Sequence, residues 1–269
     1  MILVVFQTLL FIHQLRINKA INSMRLMRFS LFLFLLTMLG FPVITQAIDD
    51  SLKFSLQRLT YIAGDNSVSM SLRNTSQSPY LIQANMLWLD ESTGLNTLDK
   101  SEKIPFTVTP PLYKLSSDEY YSWRVLFTGK TPSLPTDRES VFLLQLKAIP
   151  STEPQHDESM QFTVTRSLLF KVYYRPANLK GMTLEQVSNQ LSFRRENNYL
   201  VVKNNSPIYA TFDNLSINGI PADSDILFMS VAPYSEQRYP FKQLIAGTIS
   251  WALMDEYLLP TKQKNSLVQ

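Results

Sequence analysis

Met160-Gln161-Phe162-Thr163-Val164-Thr165-Arg166-Ser167-Leu168-Leu169-Phe170-Lys171-Val172-Tyr173-Tyr174-Arg175-Pro176 carries the strongest structural signal in this 269-residue chain. Apolar Met160, Phe162 and Val164 alternate with polar neighbours, and the run continues through Leu168 to Tyr174 until a proline stops it. A period of two over such a length predicts a half-buried β-strand. Two uses of the strand are compatible with the alternation. It is either a core strand, or an exposed edge whose apolar stripe is offered to a partner strand.

The same alternation recurs earlier in the chain, at Phe54-Ser55-Leu56 and at Val68-Ser69-Met70-Ser71-Leu72. Turn signals separate the runs: Gly64-Asp65-Asn66, Asn74-Thr75-Ser76, Ser92-Thr93-Gly94, Thr136-Asp137, Asn204-Asn205-Ser206-Pro207 and Asn218-Gly219. No segment keeps a helical period for long, and Leu184 to Leu191 allows one short turn. The chain is therefore predicted to be all-β. Pro176 to Gly181 interrupts the pattern near the middle, leaving two pieces that each suit one sandwich of roughly 100 residues. The expected organisation is a leader over 1–47, domains over 48–176 and 184–269, and a hinge over 177–183.

Four of the 25 Lys and Arg residues (Arg16, Lys19, Arg25, Arg28) fall in the first 47 positions, where there is no acid. The remainder holds 21 bases against 22 acids, so the formal charge of +3 belongs to the leader and argues against a nucleic-acid partner. From Met24 the order is a basic start, the apolar run Leu31 to Phe41, and the exit Thr45-Gln46-Ala47. That pattern predicts a secretory signal peptide cut after Ala47, with Met24 or Met27 as the true start and no stable membrane insertion afterwards. The run is shorter than the roughly 20 residues a spanning helix needs. Cys is absent, which excludes disulfides, Cys-ligated metals and Cys nucleophiles.

Catalysis finds little support. The mature part has a lone His156 beside Asp157, and the acid pairs Asp49-Asp50, Asp90-Glu91 and Asp118-Glu119 are sequence neighbours, which point to opposite faces of a strand. No nucleophile, metal set or phosphate loop accompanies them, so a binding protein without cofactor or metal is the expectation.

A resemblance adds a specific function. The ordered runs Arg58-Leu59-Thr60-Tyr61, Pro79 to Gln83, Pro105 to Leu112, Leu134 to Phe142, Ala148-Ile149-Pro150 and Phe170 to Pro176 resemble the periplasmic chaperones of the chaperone–usher pilus pathway, the PapD-like family. The likeness continues more weakly through Leu200 to Tyr209, Ser216 to Gly219 and Val231 to Ser235. It implies two immunoglobulin-like sandwiches joined as an L, a cleft at the hinge, pilus subunits as cargo and an outer-membrane usher as second partner. The rival of another class is a surface adhesion or receptor module built from two such domains.

The resemblance also implies roles for residues. Arg58 and Lys171 would anchor the subunit's C-terminal carboxylate. The lent apolar side chains would lie nine, seven and five residues before Lys171, at Phe162, Val164 and Arg166. Arg166 departs from that pattern. Either Met160, Phe162 and Val164 serve in a slipped register, or the last subunit pocket is shallow or acidic. The loop after Pro150 and the lack of a Cys pair resemble the short-loop class that serves rod-like pili with tip adhesins. A buried ionic trio would comprise Glu139, Arg175 and Glu256. The related Asn-Asp-Tyr-Gly is here Asp255-Glu256-Tyr257-Leu258, and losing the Gly should disturb the local turn. Pro110, Pro111 and Ile149 match usher-contact positions.

Overall fold

The computed structural model describes residues 51–56, 58–90, 94–97, 103–129, 134–151, 164–241, 246–255 and 257–268. The leader, His156, Met160, Phe162 and Glu256 lie outside these residues.

The first half contains β1 (Leu52–Phe54), β2 (Arg58–Ile62), β3 (Val68–Asn74), β4 (Tyr80–Leu89), β5 (Asn96–Thr97), β6 (Phe106–Thr109), β7 (Leu112–Leu115), β8 (Tyr120–Phe127), β9 (Ser140–Pro150) and β10 (Arg166–Arg175). One sheet runs β1-β3-β8-β6, and the other runs β2-β10-β9-β4-β5 with β7 added on β4. Between them Met70, Leu72, Trp123, Val125, Phe142, Leu144 and Val172 form a core from the inward positions of both sheets. Chain direction changes sheet at Pro110-Pro111, since β6 pairs with β8 while β7 pairs with β4. Proline suits that corner because it has no N–H to leave unpaired in either ladder.

After a turn over Ala177–Leu179, the helix α1 (Leu184–Ser188) begins the second half. Its start is a capping box: Thr183 Oγ1 accepts from Gln186 N, and Gln186 Oε1 accepts from Thr183 N. Then come β11 (Leu191–Glu196), β12 (Tyr199–Asn204), β13 (Phe212–Ile217), β14 (Ile220–Pro221), β15 (Glu236–Pro240), β16 (Gly247–Leu253) and β17 (Lys264–Val268). They form sheets β11-β12-β15 and β14-β13-β16-β17 around a second core of Leu200, Val202, Phe212, Leu215, Tyr239, Ile249 and Trp251. The all-β expectation and the pair of sandwiches are what the structure has.

The two halves share one internal device. Asn74 and Asn204, both fully buried, end β3 and β12. Asn74 Nδ2 donates to the carbonyls of Ser78 (2.8 Å) and Ser116 (2.9 Å), and Asn204 Nδ2 to those of Ile208 (2.7 Å) and Val231 (3.2 Å). Each Oδ1 accepts from the backbone N–H of the serine two residues on, at 2.9 Å in both cases. A buried amide that spends both ends on turn backbone fixes the exit from the strand at little desolvation cost.

Candidate functional site at the junction of the sandwiches

Strand alternation explains how β10 comes to serve two surfaces. Leu168, Phe170, Val172 and Tyr174 point into the first core, so Leu169, Lys171, Tyr173 and Arg175 take the opposite face. Parallel pairing of β10 with β2 then sets Lys171 directly beside Arg58, Tyr173 beside Thr60 and Arg175 beside Ile62. Like charges on adjacent strands repel. Here hydroxyls and carbonyls from the second half surround them.

Arg58 Nε donates to the Asp255 carbonyl at 3.0 Å, and an Nη to Thr211 Oγ1 at 3.4 Å. Lys171 Nζ donates to Ser230 Oγ at 2.8 Å and to the Phe228 carbonyl. Thr211 and Ser230 hydroxyls meet at 2.7 Å, closing the network between the two cations. Among the described residues, Arg58 Nη2 is buried with no acceptor. The buried Tyr173 phenol reports the field: burial alone would raise its pKa, but the charges of Lys171 and Arg58 together with hydrogen bonds to Ser230 and Thr211 hold it below the usual value. A cleft of about 410 Å³ opens over this pair, walled by Leu169, Phe212, Leu227, Phe228, Met254 and Leu258. The resemblance named both cations and the pairing of β2 with β10 sets them side by side; their bonds to the second half were not legible in the sequence, because Thr211 and Ser230 belong to no motif.

Glu139 is the buried carboxylate of the junction, 3% exposed. It immediately precedes β9, whose last pair with β10 is Ser140 with Tyr174, so Arg175 lies across from it. Arg175 Nε donates to Oε1 at 2.7 Å, and the Tyr209 backbone N–H of the second half donates to Oε2 at 2.9 Å. Burial raises the carboxyl pKa, opposed by Arg175. The Glu139 N–H itself donates to the Pro207 carbonyl at 2.9 Å. Around these bonds Leu89, Val141, Leu143, Tyr173 and Tyr209 form a small apolar cluster across the junction, with the two tyrosine rings 5.3 Å apart. At the rim Arg138 lies 5.1 Å over the Tyr234 ring. The third acid, Glu256, lies outside the described residues.

The lent-strand residues divide. Arg166 is the first residue of β10 and pairs with Ala148, and Val164 sits two residues earlier at 83% exposure. Among the described residues, Ser167–Phe170 pair on one side only, with β9, because β2 covers the other edge from Lys171 onward. Pro110 is half-buried and Pro111 exposed, with Ile149 half-buried on β9 opposite Leu81. Leu81 and Leu112 are exposed beside them. The expected disturbance of the turn after Asp255 does not occur: Leu258 adopts φ +62° and the turn forms.

The domain model of the pili and flagellar-assembly chaperone PapD (N-terminal domain) matches residues 51–180, and that of the pili assembly chaperone PapD (C-terminal domain) matches residues 186–257. The chain belongs to the PapD-like pili-assembly chaperone family. The chaperone protein HifB of Haemophilus influenzae is 32% identical over 206 residues, covering 74% of this chain and 81% of that protein. The crystal structure of the Escherichia coli chaperone DraB superposes with a TM-score of 0.67 at 26% identity, covering 81% of this chain and 97% of that one. A chain of the Salmonella enterica complex of the SafA pilin with the SafB chaperone gives a TM-score of 0.68 at 24% identity over 81% of this chain and 96% of that one, a likeness of fold. Between the two readings of the sequence, chaperone and adhesion module, the relatives favour the chaperone. Among the described residues no helix is long and apolar enough to cross a membrane.

Proposed function

We propose that this pilus-assembly chaperone works in the periplasm, where it captures subunits lacking their last strand, lends them the edge of β10, and delivers them to an outer-membrane usher. The leader over 1–47 would direct export and be removed. Arg58 and Lys171 would hold the subunit's C-terminal carboxylate. The observation that carries the anchoring is the pair of in-register cations at the cleft, one of which keeps a buried guanidinium N–H without an acceptor among the described residues. An orphaned donor of that kind costs about 1–3 kcal/mol, so an arriving carboxylate has something to relieve. Arginine suits a two-oxygen acceptor through parallel N–H bonds, and lysine adds a compact second charge.

The open edge of β10 supports the lending. An incomplete subunit exposes strand edges that would otherwise aggregate, and an added strand satisfies both its backbone and its groove. In this reading Phe162 and Val164 enter the groove, and either Met160 joins them in a slipped register or Arg166 meets a shallow or acidic pocket. Glu139, Arg175 and Glu256 would couple the two domains, and the surface around Pro110, Pro111 and Ile149, with Leu81 and Leu112 alongside, would meet the usher. Chemistry at a catalytic centre is no part of this reading.

The test is Arg58→Ala and Lys171→Ala, with co-purification of a subunit carrying its native C terminus and of the same subunit with that terminus amidated. Charge-assisted bonds contribute about 1.5–3 kcal/mol each, so losing both cations should weaken capture by roughly two to four orders of magnitude. Melting is measured alongside, because Arg58 also bonds Asp255 and Thr211. Folded variants that capture the native subunit normally would reject carboxylate anchoring.

A further inference from the structure

Leu258 is held where side chains are seldom found. Its φ of +62° lies in the left-handed region, which crowds a Cβ against the following carbonyl and which Gly enters freely. The surrounding loop imposes it. Met254 bridges Pro260, Asp255 N donates to the Leu259 carbonyl at 3.0 Å, and Asp255 Oδ1 accepts from the N–H groups of Tyr257 (2.9 Å) and Leu259 (2.8 Å). A strained conformation so fully determined by its neighbours points to a function for the side chain it presents.

That side chain lines the cleft over Arg58 and Lys171, together with Leu169, Leu227, Phe228 and Met254. The cations are thus set in a largely apolar enclosure, to which Asp213 adds a negative charge. A chain end is the ligand whose chemistry fits both parts. Its carboxylate goes to the cations, and the side chain of its final residue, one carbon away, has to lie within the same walls.

Resting on the anchoring reading above, we propose that Leu258 makes the cleft selective for a captured chain whose final residue is apolar. Acidic ends are disfavoured by Asp213, and glycine ends leave the walls unfilled.

The experiment uses the secreted protein and fluorescent peptides of alternating Val and Thr with a free C terminus, ending in Leu, Gly or Asp, plus the Leu peptide as its amide. Binding is read by anisotropy. The Leu-ended peptide should bind about tenfold more tightly than the Gly-ended one, the scale of burying one apolar side chain in part. In Leu258→Gly that preference should collapse to within about twofold, with melting unchanged or higher as the strain is removed. Leu258→Asn, which also tolerates the left-handed region, should lose the preference too. Both variants should still prefer the free acid to the amide. If the native protein binds Leu and Gly ends alike, or either variant keeps the preference, the selectivity assigned to Leu258 is wrong while anchoring stands. If the native protein binds acid and amide alike, the anchoring reading itself fails and takes this inference with it.

Discussion

Replacing Glu139 by Ala should uncouple the two sandwiches at measurable cost. The carboxylate accepts from Arg175 Nε at 2.7 Å and from the Tyr209 N–H at 2.9 Å, one partner in each half. Removing one member of a buried pair costs about 3–5 kcal/mol, and Arg175, with its side chain 17% exposed, can rehydrate in part, which favours the lower end. Roughly 3–4 kcal/mol in a domain pair of this size lowers the melting temperature by roughly 6–15 °C. Glu139→Gln keeps an oxygen for the Tyr209 N–H and should lose only about 1–2 kcal/mol. Tryptophan fluorescence during urea denaturation resolves where the loss falls, because Trp88 and Trp123 belong to the first core and Trp251 to the second. A Trp251→Phe background then reports the first half alone, and the Ala variant should show two separated transitions. The pH dependence has a sign. Burial holds the folded carboxyl pKa above its unfolded value, so the folded state takes up its proton first. This group's contribution therefore falls as pH rises from the unfolded to the folded pKa, and the native protein should gain on Glu139→Gln as pH is lowered through that window. An Ala variant as stable as the native protein to within about 0.5 kcal/mol would refute the argument, since that is what an exposed pair contributes.

Two further outcomes follow from single side chains. Val164→Asp should leave melting within about 0.5 kcal/mol of native, because the residue is 83% exposed, yet abolish subunit capture by forcing an unpaired carboxylate into the groove, a loss that co-purification would detect. Loss of folding instead would place Val164 in this protein's own core. Tyr113, whose hydroxyl donates to Glu119 at 2.6 Å, titrates at about 12, chiefly through that bond. Ultraviolet titration of Glu119→Gln should return one tyrosine toward its ordinary value. Glu119 is itself held below its ordinary value by Tyr113, so the stability it contributes is present above its unfolded pKa and lost as pH falls through the folded one.

Alternation made the strands legible, and it made β10 legible as one continuous element because Pro176 closes it. The asparagines were legible only in part. Asn74-Thr75-Ser76 and Asn204-Asn205-Ser206 read as turns, but a turn asparagine is ordinarily solvated, and burial is decided by the carbonyls of Ser116 and Val231, distant in the chain. Glu139 and Arg175 were legible through resemblance, whereas the Tyr209 N–H that completes the site is backbone and has no sequence signature. The hydroxyls of Thr211 and Ser230 escaped notice for a related reason: a lone Thr or Ser is common on strands, and only the pairing of β10 with β2 reveals what they face. Leucine in place of Gly at 258 is expected to disturb the turn, because glycine fits that conformation at lower cost. Three hydrogen bonds that join Asp255 to Tyr257 and Leu259 hold the turn here.

The placement of Arg58 also determines how a lent edge could be used. β2 begins at Arg58, opposite Lys171, and runs parallel to β10. It occupies one edge of β10 from that point on and, among the described residues, leaves Ser167–Phe170 paired on one side. A strand added to the open part meets the start of β2 end to end. If its carboxylate sits at the two cations, its C terminus abuts the N terminus of β2, and the added strand runs parallel to β10 as β2 does. Its earlier residues then lie back along Phe170 toward Val164, about 23 Å from Lys171 at the rise of an extended strand. The face of β10 that fills the first core is the same face that, continued past Leu168, carries Arg166 and then Val164. In the proposed reading a single parity serves this protein's own core at one end and a partner's groove at the other, while the opposite parity carries Lys171 into the cleft. The register between the two chains would be fixed at the carboxylate, because apolar side chains alone tolerate a slip of two residues and a chain end does not.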